Sequence, residues 1–340
     1  MKIAVVGASG AVGREILAEL EESALVPKTA EVIALASPRS DGERLKFRGK
    51  TLTVRAFQLE AVQGCSFVLM SAGKEFSKEW SPKIAQLGAY VIDNSSAWRS
   101  HRDIPLVVPE VNQEVLKGYK PGIIANPNCS TIQMVVALDP LKKAYGLEMV
   151  QVATYQSVSG SGQKGITELS EGMKASFKFE RAVPSLYEHP IAFNLIPYIG
   201  SIDDVTGYCE EELKMIQETR KILSDEDLPV LPTTVRVPVF HCHAEAVTVK
   251  LSCPVSREEL IARLSQSKGL SFVADSERLN FPNPLTIAQK SGVYVCRARL
   301  LQTADGKQRS DWVQFWNVAD NLKKGAATNA VQILESLLSL

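Results

Sequence analysis

One cysteine of the six in this 340-residue chain sits where a thiol could react. Cys129 lies in Asn126-Pro127-Asn128-Cys129-Ser130-Thr131, after an apolar strand and before a helical run over 132–138. Pro127 keeps the residue before it out of helix, and Asn128 or Ser130 can cap the helical run. Cys129 is therefore expected at or just before a helix N-terminus, a setting that lowers a thiol pKa and exposes the thiolate. Such a nucleophile suggests covalent chemistry on an acyl group. Cys65, Cys209, Cys242, Cys253 and Cys296 read instead as small buried apolar residues. No C-x-x-C pair indicates a zinc knuckle or a redox motif.

A nucleophile needs a partner base, and the chain has four histidines, His101, His189, His241 and His243. The stretch 236–245 reads as one alternating strand, with His241, His243 and Glu245 on one face. Arg236 takes the opposite parity unless Pro238 or a bulge intervenes. Two histidines at i, i+2 could ligate a metal, but no third ligand accompanies them, so no metal site is assigned.

The first strand runs into Gly7-Ala8-Ser9-Gly10-Ala11-Val12-Gly13 and then a helix. Small residues there let backbone amides approach a pyrophosphate at the helix N-terminus. The spacing is G-x-x-G-x-x-G, so position between strand and helix carries more weight than the bare pattern. The second strand ends Ser37-Pro38-Arg39-Ser40, a cation flanked by hydroxyls, which suits a ribose 2′-phosphate. NADP is favoured over NAD on that basis, with Asp41 nearby leaving mixed use open.

These groups must be held by a fold, and the pattern defines one. Apolar runs alternate with helical stretches through the first third, the signature of βαβ units on a parallel sheet. After about residue 130 longer alternating strands fall over 152–159, 233–240, 244–252, 293–301 and 312–318, with helices between them over 210–223 and 257–265. The fold class is α/β: a Rossmann-type parallel-sheet NADP domain plus an α+β catalytic and dimerisation domain with a largely mixed or antiparallel sheet. The expected divisions are 1–128, 129–320, and a helix over 321–340 returning to the first domain. Charge balances at 38 Lys+Arg against 38 Asp+Glu, which argues against a nucleic-acid partner. No apolar run approaches the roughly 18 residues of a membrane span. The opening apolar run stops at the glycine turn and reads as a strand rather than a signal peptide, so a cytoplasmic location is expected.

Taken together these residues resemble the aspartate-β-semialdehyde dehydrogenase family. The resemblance runs through the glycine turn, Asn94-Ser95-Ser96-Ala97-Trp98-Arg99, the Cys129 segment, Gln156-Ser157-Val158-Ser159-Gly160 and Glu211-Glu212-Leu213-Lys214-Met215. It continues through Arg236-Val237-Pro238, Ala319-Asp320-Asn321-Leu322 and Gly325-Ala326-Ala327-Thr328-Asn329. It implies NADP-dependent reduction of L-4-aspartyl phosphate to L-aspartate 4-semialdehyde and phosphate, on the route to lysine, diaminopimelate, threonine and methionine. It implies a homodimer or homotetramer formed through the second domain. By the same resemblance Cys129 is the nucleophile, His243 the general acid/base and Gln156 the residue that orients the acyl intermediate. Arg236 and Glu211 would hold the substrate's carboxylate and amine, while Arg99, Asn128 and Lys214 would hold phosphate. Ser159, Gly160 and Asn321 join Gly7, Ser9, Gly10, Ala11, Val12, Ser37, Arg39 and Ser40 around the cofactor. The family's histidine usually sits in a Gly-His-Ser setting, whereas Cys242 and Ala244 flank His243 here, and His241 remains an alternative base. N-acetyl-γ-glutamyl-phosphate reductase and a non-catalytic NADP-binding paralogue are the competing readings.

Overall fold

Continuous apolar runs build the sheet of the first of two units, which comprises Met1–Asn128 with Gly325–Leu340. The computed structural model describes every residue except 303, 305 and 307. In this unit β1 (Lys2–Val6), β2 (Glu31–Ala36), β5 (Arg55–Ala56), β6 (Phe67–Met70), β7 (Tyr90–Asp93) and β8 (Ile123–Ala125) form one sheet. Its order is β5-β2-β1-β6-β7-β8, and every pairing is parallel. A small hairpin, β3 (Arg44–Phe47) and β4 (Lys50–Thr53), stands beside it. Along β1 the side chains alternate between two cores. Ile3 and Val5 join α1 (Ala11–Glu22) and α9 (Thr328–Ser339), while Ala4 and Val6 join α2 (Lys74–Gln86). A parallel sheet covered on both faces has no need of polar alternation, so its strands read as unbroken apolar runs. The short α3 (Pro109–Asn112) packs against α9.

The second unit, Cys129–Lys324, is built on a sheet in which strands such as β9 and β10 alternate buried and exposed residues. Its strands are β9 (Leu147–Gln156), β10 (Val230–Arg236), β11 (His243–Leu251), β12 (Leu270–Val273), β13 (Val293–Gln302) and β14 (Gln308–Ala319). The order is β10-β9-β11-β14-β13-β12, with the outer pairs parallel and the inner three antiparallel. In β9, Val150, Val152, Thr154 and Gln156 are buried, and Gln151 and Tyr155 are exposed. The sheet packs with α4 (Cys129–Tyr145), α6 (Glu210–Ile222) and α7 (Arg257–Ser265). The remaining helices are α5 (Gly162–Phe177) and the short α8 (Pro284–Ile287).

Three local expectations fail. The stretch 236–245 is not one strand: β10 ends at Arg236 and β11 begins at His243. Pro238 brings no N–H to the ladder, and Cys242 takes φ +70, which turns the chain out of extended geometry. The stretch 321–340 is not one helix, because a π-helical turn at Lys323–Ala327 precedes α9. Asp320 stops the preceding strand by accepting the Leu322 and Lys323 amides at 2.9 and 3.3 Å. Cys253 is exposed, unlike Cys65, Cys209, Cys242 and Cys296. Among the described residues no helix is long and apolar enough to cross a membrane.

Candidate active site

Strand register assembles the site in the second unit. Arg236 pairs with Gln156 across β10 and β9, and Gln156 pairs with His243 across β9 and β11. Side chains directly opposite in a sheet share a face, so Arg236, Gln156 and His243 form one row at the end of three neighbouring strands. All three are buried. His241 lies outside both strands, so it shares no strand face with His243, and the period-two argument for it fails.

The chain after β9 sets the state of the histidine. The Ser157 N–H donates to His243 Nδ1 at 3.1 Å. A backbone amide only donates, so Nδ1 is an acceptor and the neutral ring carries its proton on Nε2. Nε2 has no partner among the described residues. Burial, and then the charge of Arg236, push the His243 pKa down to about 3. The Arg236 Nη1 donates to the Ser157 carbonyl at 2.6 Å. No carboxylate pairs with Arg236 among the described residues, and its Nε has no acceptor. A buried guanidinium without a counter-ion is costly, and that cost makes the position a receptor for an anion. Gly160 separates the two groups: a Cβ built there would lie 2.9 Å from Arg236 Nη1 and 3.4 Å from His243 Nε2.

Ser159 and Asn321, assigned to the cofactor from the sequence, lie in a buried knot behind the histidine. Asn321 Oδ1 accepts from Ser157 Oγ, Ser159 Oγ and the Cys242 N–H at 3.2, 3.0 and 3.0 Å. This fixes the left-handed Cys242 immediately before His243. Burial raises the Cys242 thiol pKa, with Asp320 adding to the effect, so this cysteine is no thiolate. Cys129 differs: it is partly exposed and is the first residue of α4, where the helix dipole favours negative charge.

Glu211 and Lys214 sit one turn apart near the start of α6, where Lys214 Nζ lies 2.8 Å from Glu210 Oε1 and 3.7 Å from Glu211 Oε2. The next residue, Glu212, ties this helix start to β10 by accepting the Thr234 and Cys209 amides at 2.9 Å each. Thr234 is two residues before Arg236 on the same strand face.

The first unit carries Arg99 and Asn128. Buried Asp93 accepts from Ser77 Oγ, from Ser81 Oγ at 2.7 Å and from the Ser95 N–H at 2.8 Å. Trp98 Nε1 donates to Ser77 Oγ at 2.9 Å, and Arg99 Nη2 donates to the Asn94 carbonyl at 2.7 Å. Asn126 links this segment to α9, donating to Asn94 Oδ1 and accepting from Asn329 Nδ2, both at 2.7 Å.

The glycine turn has the form a pyrophosphate requires. Gly7 takes φ +85, and a Cβ there would lie 2.1 Å from the Ser71 carbonyl oxygen. A Cβ on Gly13 would lie 2.1 Å from the Gly7 oxygen. Gly10 caps α1 with no side-chain acceptor, leaving the Ala11 and Val12 turn able to face an anion. Ser9 Oγ donates to Ser40 Oγ at 2.9 Å, which joins this turn to the loop of exposed Ser37 and Arg39 after β2. The Asp41 carboxylate accepts the Ala56 N–H at 2.9 Å. The turn also sits where β2 and β6 flank β1, the topological switch point at which such sheets bind nucleotides. Among the described residues no cluster of His, Cys, Asp or Glu could hold a metal.

The sequence reading missed Ser157, whose amide and carbonyl bind His243 and Arg236. It also missed the fully buried polar residues Gln133 and Asn317 and gave Glu245 no role. Their signal is a polar side chain on a face whose periodic neighbours are all apolar.

A glycine turn fit for a nucleotide in the first unit, and in the second a helix-start cysteine with a buried Arg236–Gln156–His243 row, fit the class of semialdehyde dehydrogenases. Two family models agree: the NAD-binding domain of semialdehyde dehydrogenases matches residues 2–119, and their dimerisation domain matches 138–324. The aspartate-semialdehyde dehydrogenase of Aquifex aeolicus is 44% identical over 99% of this chain and 98% of its own. That of Bacillus subtilis is 41% identical over 100% and 98%. The crystal structure of aspartate semialdehyde dehydrogenase II from Vibrio cholerae, complexed with ASA, superposes with a TM-score of 0.91 at 42% identity, covering 99% of this chain and 98% of that one. The chain belongs to the aspartate-semialdehyde dehydrogenase family, which selects the aspartyl reading over the acetylglutamyl one.

Proposed function

We propose that the chain performs NADP-dependent reduction of L-4-aspartyl phosphate to L-aspartate 4-semialdehyde through a thioester on Cys129, serving lysine, diaminopimelate, threonine and methionine biosynthesis. The observation that carries this is buried Arg236, without a carboxylate partner, beside the open Nε2 of His243. A guanidinium there is matched to the carboxylate of an amino-acid substrate. Glu211 faces the amine, and Arg99, Asn128 and Lys214 supply the phosphate contacts.

The Cys129 thiolate attacks the acyl carbon, a C–S bond forms, and the C–O bond to phosphate breaks. NADPH, when bound, supplies hydride to that carbon. His243 holds its Nε2–H toward the oxygen as charge develops, and that oxyanion collapses with cleavage of the C–S bond to release aldehyde and the Cys129 thiolate. Gln156, beside His243 in the row, orients the acyl oxygen. The cradle of Gly7, Gly10 and Gly13 fits a dinucleotide, and Arg39 between Ser37 and Ser40 fits its 2′-phosphate. The nearby Asp41 carboxylate accepts the Ala56 N–H through Oδ1.

We read the second unit as the interface of a homodimer or homotetramer. The sheet face away from α4 leaves Tyr155 and Leu231 exposed, and the arm over 177–205 exposes Phe177, Phe179, Val183, Phe193 and Val205. Apolar surface of that extent calls for a second copy.

The deciding assay is phosphate-dependent reduction of NADP and of NAD with aspartate semialdehyde. Turnover with NADP that vanishes in Cys129→Ala, with NADP binding retained, is expected. Turnover surviving in Cys129→Ala refutes the thioester, and preference for NAD refutes the cofactor assignment.

A further inference from the structure

Three buried polar residues lie one step below the catalytic row, and no part of the reaction uses them. Glu245 comes two residues after His243 on β11, so it points to the same face. It pairs with Asn317 on β14 and Thr154 on β9. Gln133 stands one turn into α4 from Cys129, on the same side of the helix. Gln133, Glu245 and Asn317 are each fully buried.

Their bonds join helix to sheet. Gln133 Nε2 donates to the His243 carbonyl at 3.3 Å. Asn317 Nδ2 donates to the Gln133 carbonyl and to Glu245 Oε2, both at 3.0 Å. The two amide groups thus supply the donors, while Gln133 Oε1, Asn317 Oδ1 and Glu245 Oε1 are buried without a protein donor. A proton on Glu245 gives this set a further donor. Burial agrees, driving the Glu245 pKa well above the carboxylate range against the opposing pull of the neighbouring Gln133 and Asn317 amides.

The spacing gives the cluster its consequence. A tight turn at Gly146 joins α4 to β9, so the two run antiparallel and the start of α4 lies toward the Gln156 end. Four helical residues advance about 6 Å, and two strand residues advance about 6.6 Å. A helix pinned at Gln133 to the Glu245–Asn317 row therefore carries Cys129 to the next row, that of His243 and Gln156. We propose that Glu245, with Gln133 and Asn317, is a positioning cluster that sets the cysteine-bearing turn of α4 over the His243–Gln156 row.

The inference rests on the reading of Cys129 as nucleophile. The test uses the full chain in a Cys253→Ser background, which removes the exposed thiol. Glu245→Leu and Gln133→Met each lower kcat at least tenfold, leave the KM for aspartate semialdehyde within twofold, and slow alkylation of Cys129 by iodoacetamide by a similar factor. Glu245→Gln, which keeps shape and a donor, restores kcat to within threefold of the parent. Full kcat in folded Glu245→Leu or Gln133→Met overturns the proposal, as does a Glu245→Gln loss as large as that of Glu245→Leu. If Glu245→Leu does not fold, Gln133→Met and Glu245→Gln decide alone. Cys129→Ala is assayed alongside: turnover there refutes the nucleophile reading, whereas an inactive Cys129→Ala beside a fully active Glu245→Leu refutes only the positioning.

Discussion

Two fully buried groups on β11, two residues apart, should give stability opposite dependences on pH. His243 is held at about 3 rather than 6.5, by burial first and the Arg236 charge second. Between those values the unfolded chain binds a proton that the folded chain does not, so the His243 contribution to stability rises with pH. It is present above 6.5 and is lost as pH falls toward 3. Glu245 is lifted well above 4.5 by burial. The folded chain then keeps a proton that the unfolded chain releases, and this contribution is present below 4.5 and is lost as pH rises. Between pH 4.5 and 6.0, linkage gives about 1.9 kcal/mol gained from His243, while the Glu245 contribution falls over the same interval. His243→Gln removes the first dependence, so the variant loses about 2 kcal/mol relative to wild type across that interval. Glu245→Gln removes the second, so this variant gains stability relative to wild type as pH rises. The measurement is urea unfolding at four pH values from 4.5 to 6.0, in which titrations common to all three proteins drop out of the differences. Profiles for His243→Gln that parallel wild type would refute the claim that this ring is buried neutral.

Gly160→Ala places a methyl against Arg236 and His243 together. An overpacking cost of about 1–3 kcal/mol borne by the site should raise the KM for aspartate semialdehyde about tenfold, and an unchanged KM would show that the loop moves freely. In Gly13→Ala the new Cβ lies 2.1 Å from the Gly7 oxygen, so α1 must shift. NADP binding, read by fluorescence titration, should weaken more than tenfold. Arg39→Ala should raise the KM for NADP about tenfold through loss of one charge-assisted contact of about 1.5–3 kcal/mol, with the KM for NAD unchanged. Equal losses with both cofactors would remove Arg39 from the 2′-phosphate site.

The legible and the hidden parts of this site divide along a physical line. Cys129 at the head of α4 is legible because proline and capping chemistry act within a few residues. The glycine turn is legible for the same reason: a Cβ on Gly13 would meet the Gly7 oxygen and Ala8, a few residues earlier. The row of Arg236, Gln156 and His243 is not legible, because strand register is a relation between distant segments that composition does not encode. Reading 236–245 as one strand sets His241 beside His243, and only the break between β10 and β11 separates them. Gln133 and Asn317 are readable in principle as polar interruptions of apolar faces, but nothing local says that the two interruptions meet.

The break before His243 explains how the site tolerates its departure from the family's Gly-His-Ser setting. Cys242 occupies the glycine position at φ +70, a conformation that costs a non-glycine residue about 1 kcal/mol or more. The cost is offset locally: the Cys242 N–H donates to Asn321 Oδ1 at 3.0 Å, and the side chain packs with Ala244, Ile287 and Val318. The backbone therefore keeps a glycine-like reversal without glycine. That reversal starts β11 at His243 and delivers Nδ1 to the Ser157 amide. The tautomer of the His243 ring is thus fixed by main-chain geometry on both sides, from Cys242 just before β11 and from Ser157 just after β9.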